Sequence, residues 1–281
     1  MEVADGIHRI EQDLGERYVA QYLIVSERTL LVDTGLRDMP HAIGRAPDDV
    51  FISHADVDHC GGNLTARTLW PDARFMCGEA DRPWIESNAA MLAGNYRWYE
   101  AHGFGPSAED VAFLEHELGG DAPIDVGLRG GETLRLGAGR ELEVLALPGH
   151  TLGHLGLWDA ETGAAIVIDA VLADGVYDRA GNRLIPPRYY DAAAYEATIR
   201  RLRALDPELL LTAHYEVMER AAARDFLDRS LEFVEGVRAA VRASSTTDLR
   251  ALTEEIDAGV GPFPAFTHEL AASVHAHLTG R

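Results

Sequence analysis

The segment Ser53-His54-Ala55-Asp56-Val57-Asp58-His59-Cys60-Gly61-Gly62 constrains this chain more than any other. It puts two imidazoles and two carboxylates within six residues, between a short apolar run at Asp49–Ser53 and a Gly-Gly pair. Asp56 and Asp58 repel each other and resist burial unless something neutralises them. A bound dication does so directly. Divalent ions such as zinc take imidazole nitrogen and carboxylate oxygen at about 2.0–2.2 Å. A strand that runs into a Gly-containing turn lets a short loop aim several such groups at one centre.

Three further positions follow predicted strands. Pro148-Gly149-His150-Thr151-Leu152-Gly153-His154 comes after the alternating run Glu141–Leu147, Asp169 closes Ala164–Ile168, and His214 follows Glu208–Thr212. Each alone reads as a cap or turn residue; the ordered set reads as ligands. Gly6–Gln12 alternates, and Tyr18–Ser26 with Thr29–Asp33 predicts a hairpin. Ala73–Cys77 predicts a strand before an aromatic-rich helical insert at about 79–118, broken at Gly103–Ser107. Strands return at Glu132–Leu136 and His154–Trp158, Asp191–Leu205 predicts a helix, and from Val217 onward the pattern is helical, with breaks near Ser244–Asp248 and Gly259–Pro264. Strands, a helical insert, strands and then helices predict two sheets with helices outside them, an α+β architecture. Residues 1–216 form the expected metal-binding catalytic domain and 217–281 a C-terminal helical extension.

In these residues the chain resembles the metallo-β-lactamase-fold superfamily, and its glyoxalase II-like hydrolases in particular. The resemblance rests on Tyr22-Leu23-Ile24, Leu31-Val32-Asp33-Thr34-Gly35, His54–Gly62, Pro148–His154, Asp169 and His214. It implies a four-layer αββα sandwich with a binuclear metal centre at one edge. In the family's usual pattern His54, residue 56 and His150 bind a first metal, Asp58, His59 and His214 a second, and Asp169 bridges them. The chain departs from that pattern at Asp56, where the family usually has His. Three roles stay open for Asp56: direct ligation, a reach too short that leaves the first position weak or empty, and ligation through a water. A carboxylate there also admits iron or manganese beside zinc, the first expectation.

The resemblance implies a metal-dependent hydrolase of a small ester, thioester or lactone, acting through a metal-bound hydroxide, with Asp58 as the catalytic carboxylate that orients it. The alternative is a non-hydrolytic di-iron or mono-iron oxidoreductase on the same fold. Asp33 is expected to hold the ligand loop, and His154 to be a hydrogen-bonded structural histidine. Arg188 could hold a substrate carboxylate, and Tyr189 or Tyr190 could donate to an oxyanion. All 25 basic residues are Arg, so no Schiff-base or P-loop lysine exists. The formal charge of −21 argues against nucleic acid or an anionic membrane as partner. The expected partner is a small-molecule substrate, with a homodimer possible through the C-terminal helices. The opening residues carry no signal-peptide pattern, which makes the cytoplasm the expected location.

Overall fold

A computed structural model describes residues 1–263 and 267–280. The first sheet has the order β1 (Glu2–Ala4), β2 (Ile7–Asp13), β3 (Tyr18–Val25), β4 (Thr29–Val32), β5 (Asp49–Ile52), β6 (Arg74–Gly78) and β7 (Val126–Leu128). It is antiparallel from β1 to β4 and parallel from β4 to β7. The second sheet comprises β8 (Thr133–Gly137), β9 (Arg140–Ala146), β10 (Leu155–Asp159) and β11 (Ala164–Ile166). A small hairpin of β12 (Val176–Tyr177) and β13 (Arg183–Ile185) stands apart. Beyond it, β14 (Leu209–Leu211) pairs parallel with β11, and β15 (Met218–Glu219) closes that edge.

Residue alternation dictates the layers. In β9, Leu142 and Val144 are buried against the first sheet while Glu141 and Glu143 face solvent. Ile7, Tyr22, Ile24 and Leu30 face them from β2, β3 and β4. The outer side of the first sheet is covered by α1 (Val57–Cys60), α2 (Asn63–Leu69), α3 (Arg82–Ile85), α4 (Asn88–Met91) and α5 (Ala108–Glu117). The outer side of the second is covered by α6 (Ala192–Leu205), α7 (Arg220–Ala243), α8 (Leu249–Val260) and α9 (Thr267–Thr279). The result is the expected αββα sandwich with C-terminal helices. In α7 the buried set Ala223, Phe226, Leu227, Ser230, Leu231, Phe233, Val234 and Val237 recurs at helical spacing and packs on the core.

The helical insert is less regular than its spacing suggests. After α4 the chain makes a π-helical turn, Leu92–Tyr96, and a 3₁₀ turn, Trp98–His102. Gly103 ends the latter at φ +77°, and Ser107 opens α5 with a capping box to Asp110. The break expected at Gly259–Pro264 begins after Val260; its last residue, Pro264, lies outside the described residues, as does Arg281. Among the described residues no helix is long and apolar enough to cross a membrane.

Candidate metal centre

The C-terminal ends of four strands meet at one edge of the sandwich. His54 leaves β5, Asp56 caps α1, and Asp58 and His59 lie on that one-turn helix. His150 follows β9, Asp169 follows β11, and His214 follows β14. Ile168, immediately before Asp169, sits at φ +52°, a conformation that costs a β-branched residue energy and re-aims the chain as the strand ends. Three sets of ligand atoms each lie within 4.8 Å of one another: His54, Asp56 and His150; His54, His59 and Asp169; Asp58, His59 and His214.

The hydrogen bonds fix which nitrogen of each imidazole is free. His59 Nδ1 donates to Asp33 Oδ2 at 2.8 Å, His150 Nδ1 to the Arg188 carbonyl at 2.8 Å, and His214 Nδ1 to the Tyr18 carbonyl at 2.9 Å. Ser53 Oγ gives its proton to Asp33 Oδ2, so it accepts from His54 Nδ1 at 2.9 Å. Every Nδ1 therefore carries the hydrogen, and every neutral ring turns an Nε2 lone pair inward. Those lone pairs face carboxylate oxygens: His54 and His150 approach Asp56 Oδ2 at 3.3 and 3.1 Å, and His59 and His214 approach Asp169 Oδ2 at 3.4 and 3.1 Å. Lone pairs aimed at anions are repulsive unless a cation lies between them. His54 Nε2, His59 Nε2 and Asp169 Oδ1 are buried without a hydrogen-bond partner among the described residues. These orphaned atoms, and outer hydrogen bonds that orient each ring, are what a metal site requires. Burial opposes a charge on His59, yet Asp169, Asp58 and Asp33 raise its pKa well above the usual value, so without an ion a proton on its Nε2 holds the place that a dication would take.

Asp33 does hold the ligand loop, since it also accepts from the Ser53 amide at 2.7 Å. A second anchor escapes the sequence reading. Asp81, buried just after β6, accepts from Gly153 N at 2.7 Å, from Ala55 N at 3.3 Å and from Thr151 Oγ1. It thereby ties the His54 loop to the His150 loop. Burial pushes its pKa up to about 6 against those hydrogen bonds. The only signal for Asp81 was its place after a strand, the same as for Asp169.

Asp56 reaches the centre, but it is shared. Its oxygens accept from Arg188 Nη2, and Oδ1 also accepts from Asn95 Nδ2 at 2.8 Å. Arg188 is 2% exposed and its Nη1 pairs with Glu269 on α9 at 3.2 Å. It is committed to two carboxylates and corrects the expectation of a free clamp for a substrate carboxylate. Tyr189 is fully buried and its hydroxyl lies against His277 Nε2 at 2.9 Å, so it does not serve an oxyanion. Tyr190 donates to Asn95 Oδ1 at 2.6 Å, which also turns it away from the reacting space and makes it a support for Asp56 through Asn95. His154 corrects the expectation of a hydrogen-bonded structural histidine: it is buried, but both its nitrogens lack a hydrogen-bond partner among the described residues, and it stacks on His54 with centroids 4.6 Å apart.

A cavity of about 130 Å³ opens over the carboxylates. Phe113 and Leu114 of α5, with Val57, Leu172, Val176, Ile185 and Pro186, give it apolar walls, so part of the helical insert lies over this edge of the sandwich. Arg17, in the turn between β2 and β3, pairs with Asp58 Oδ2 at 3.0 Å. Burial would raise the Asp58 pKa, but His59, Arg17 and His214 bring it down to about 2.

Comparison with known proteins agrees with this geometry. A hydroxyacylglutathione hydrolase from Synechococcus sp. (strain JA-3-3Ab) is 28% identical over 126 residues, 45% of this chain and 35% of that protein. The match thus spans about a third of that relative's length. A metallo-beta-lactamase family protein from Thermus thermophilus superposes with a TM-score of 0.69 at 20% identity, over 98% of this chain and 93% of that one. A beta-lactamase domain protein from Burkholderia ambifaria gives 0.75 at 18% identity, over 100% and 87%. At such identities the structural likeness speaks for the fold. Residues 14–214 match the metallo-beta-lactamase superfamily as a family, and the chain belongs to it.

Proposed function

We propose that this protein is a metal-dependent hydrolase of a small, uncharged ester, thioester or lactone with an apolar acyl group. The observation that carries the reading is the convergence of four Nε2 lone pairs and three carboxylates beneath apolar walls. A bound dication supplies an activated water and polarises a carbonyl. Asp58, Asp169, His59 and His214 would hold one such ion, and His54, Asp56 and His150 a second. The carboxylate of Asp58 faces the cavity and is kept ionised, which suits it to help hold the ion and to orient the activated water by accepting its hydrogen bond. Phe113, Leu114 and Ile185 would exclude bulk water and seat the acyl group.

Arg188 is committed to Asp56 and Glu269, and Arg17 pairs with Asp58 or, where an ion takes its place there, turns out to solvent. Among the described lining residues no cation remains for an anionic substrate, and Asp110 and Glu269 add negative charge. The space is also below the roughly 300–1,000 Å³ of drug-sized ligand sites. A panel of neutral acyl esters, acyl thioesters and lactones, run beside a glutathione thioester, tests the reading. It expects kcat/KM to be at least about tenfold higher for the neutral apolar members, and Asp169→Ala to abolish turnover on all. A preference for the glutathione thioester would sink the charge argument. The carboxylate at position 56 favours a second reading, an iron-dependent oxidoreductase on this fold; bound iron with a visible absorption band and no ester turnover would select it.

A further inference from the structure

The two metal positions differ in how their charge is already spent. The first, His54–Asp56–His150, has one carboxylate. Asp56 Oδ1 is engaged by Arg188 and Asn95, and Oδ2 is shared with the same guanidinium. Arg188 cannot leave cheaply: it is 2% exposed, its Nη1 is held by Glu269 at 3.2 Å, and its own carbonyl orients His150. The second position has two carboxylates, Asp58 and Asp169, and Asp169 Oδ1 is buried and unpartnered among the described residues. Its arginine, Arg17, has 19% of its side chain exposed and lies in a surface turn, so it can swing into solvent without stranding a buried charge. Among the side chains that touch the ligand atoms the formal sum is −1 + 1 = 0 at the first position, and −2 at the second once Arg17 withdraws; Glu269, behind Arg188, reduces that difference.

We propose that Arg188 is a built-in cation that sets the two positions to unequal affinity, so that the Asp58–His59–His214–Asp169 position holds a resident metal and the His54–Asp56–His150 position fills weakly and second. Glu269 tunes the difference from α9 by drawing part of the guanidinium's charge away from Asp56. The inference rests on the metal-centre reading given above, though not on hydrolysis. A net charge difference of two units at a partly buried site is worth on the order of 100-fold or more in affinity for a dication.

Metal retention tests this directly. Wild-type protein equilibrated with zinc and dialysed against a weak chelator should keep about one equivalent. Arg188→Met combined with Glu269→Gln removes both charges of the pair together and should keep about two, with circular dichroism establishing that it is folded. Two equivalents on the wild type, or one on the folded double variant, overturns the inference and leaves the metal centre standing. None on the wild type overturns both. A cobalt titration of the wild type needs no variant: two absorption steps at least about 100-fold apart in affinity support the inference, and simultaneous filling contradicts it.

Discussion

The Arg188 carbonyl accepts the Nδ1 hydrogen of His150 at 2.8 Å, while the guanidinium of the same residue grips Asp56. One residue thus orients one ligand through its backbone and neutralises another through its side chain. The departure from the family's usual histidine at position 56 is therefore paired with a charge that a histidine could not balance.

That pairing predicts the outcome of restoring the usual residue. Asp56→His takes away one of the two carboxylates that hold Arg188 and one of the two acceptors of Asn95 Nδ2. Breaking a buried ion pair by removing one partner costs about 3–5 kcal/mol. Asp56→His should therefore lower the melting temperature markedly, and adding Arg188→Met should recover much of the loss. A single variant as stable as wild type in a thermal melt would show that the pair does not matter to the fold.

Asp81 should matter nearly as much as a ligand. Asp81→Ala strands three donors on two ligand loops, at a cost on the order of 2–4 kcal/mol. Metal affinity should fall about 10- to 100-fold, as when an outer-shell partner is lost. Chemical denaturation with and without zinc separates the two effects; unchanged affinity would confine Asp81 to the fold.

Phe113 is 51% exposed yet lines the cavity, so its size is not needed for packing. Phe113→Ala should raise KM for apolar substrates about tenfold with little change in kcat. An unchanged KM would move the acyl site elsewhere.

Away from the centre, His277 should give stability a pH dependence. Burial and then Arg238 lower its pKa to about 4, and the neutral ring can accept from the Tyr189 hydroxyl. The unfolded chain takes up that proton near pH 6.5. The contribution is therefore complete above about pH 6.5 and is lost as pH falls towards 4. His277→Gln should flatten the stability profile across that window relative to wild type; parallel profiles would rule the residue out.

Much of this was legible in the sequence because the candidate ligands cluster at strand ends, where period-two runs stop at polar residues. Two sheets with helices outside them followed from the order of those runs, and the αββα sandwich from the family resemblance. The supports were not legible. Asn95, and Tyr96 whose hydroxyl accepts from the Val57 amide at 2.9 Å, enter through a π-helical turn that spacing at 3.6 residues cannot reveal, and Glu269 reaches Arg188 across 81 positions of chain. Arg188 was singled out in the sequence, but whether it faced a substrate or an aspartate depended on that tertiary contact.

The central question is whether the convergent histidines and aspartates form a hydrolytic metal centre. The rate of hydrolysis of a neutral apolar ester, measured before chelation, after it, and after zinc is returned, tests this most directly. A hydrolytic metal centre should lose at least about 100-fold of its rate on chelation and recover it on re-addition of zinc. Hydrolysis indifferent to the chelator, or absent with every metal supplied, would contradict it.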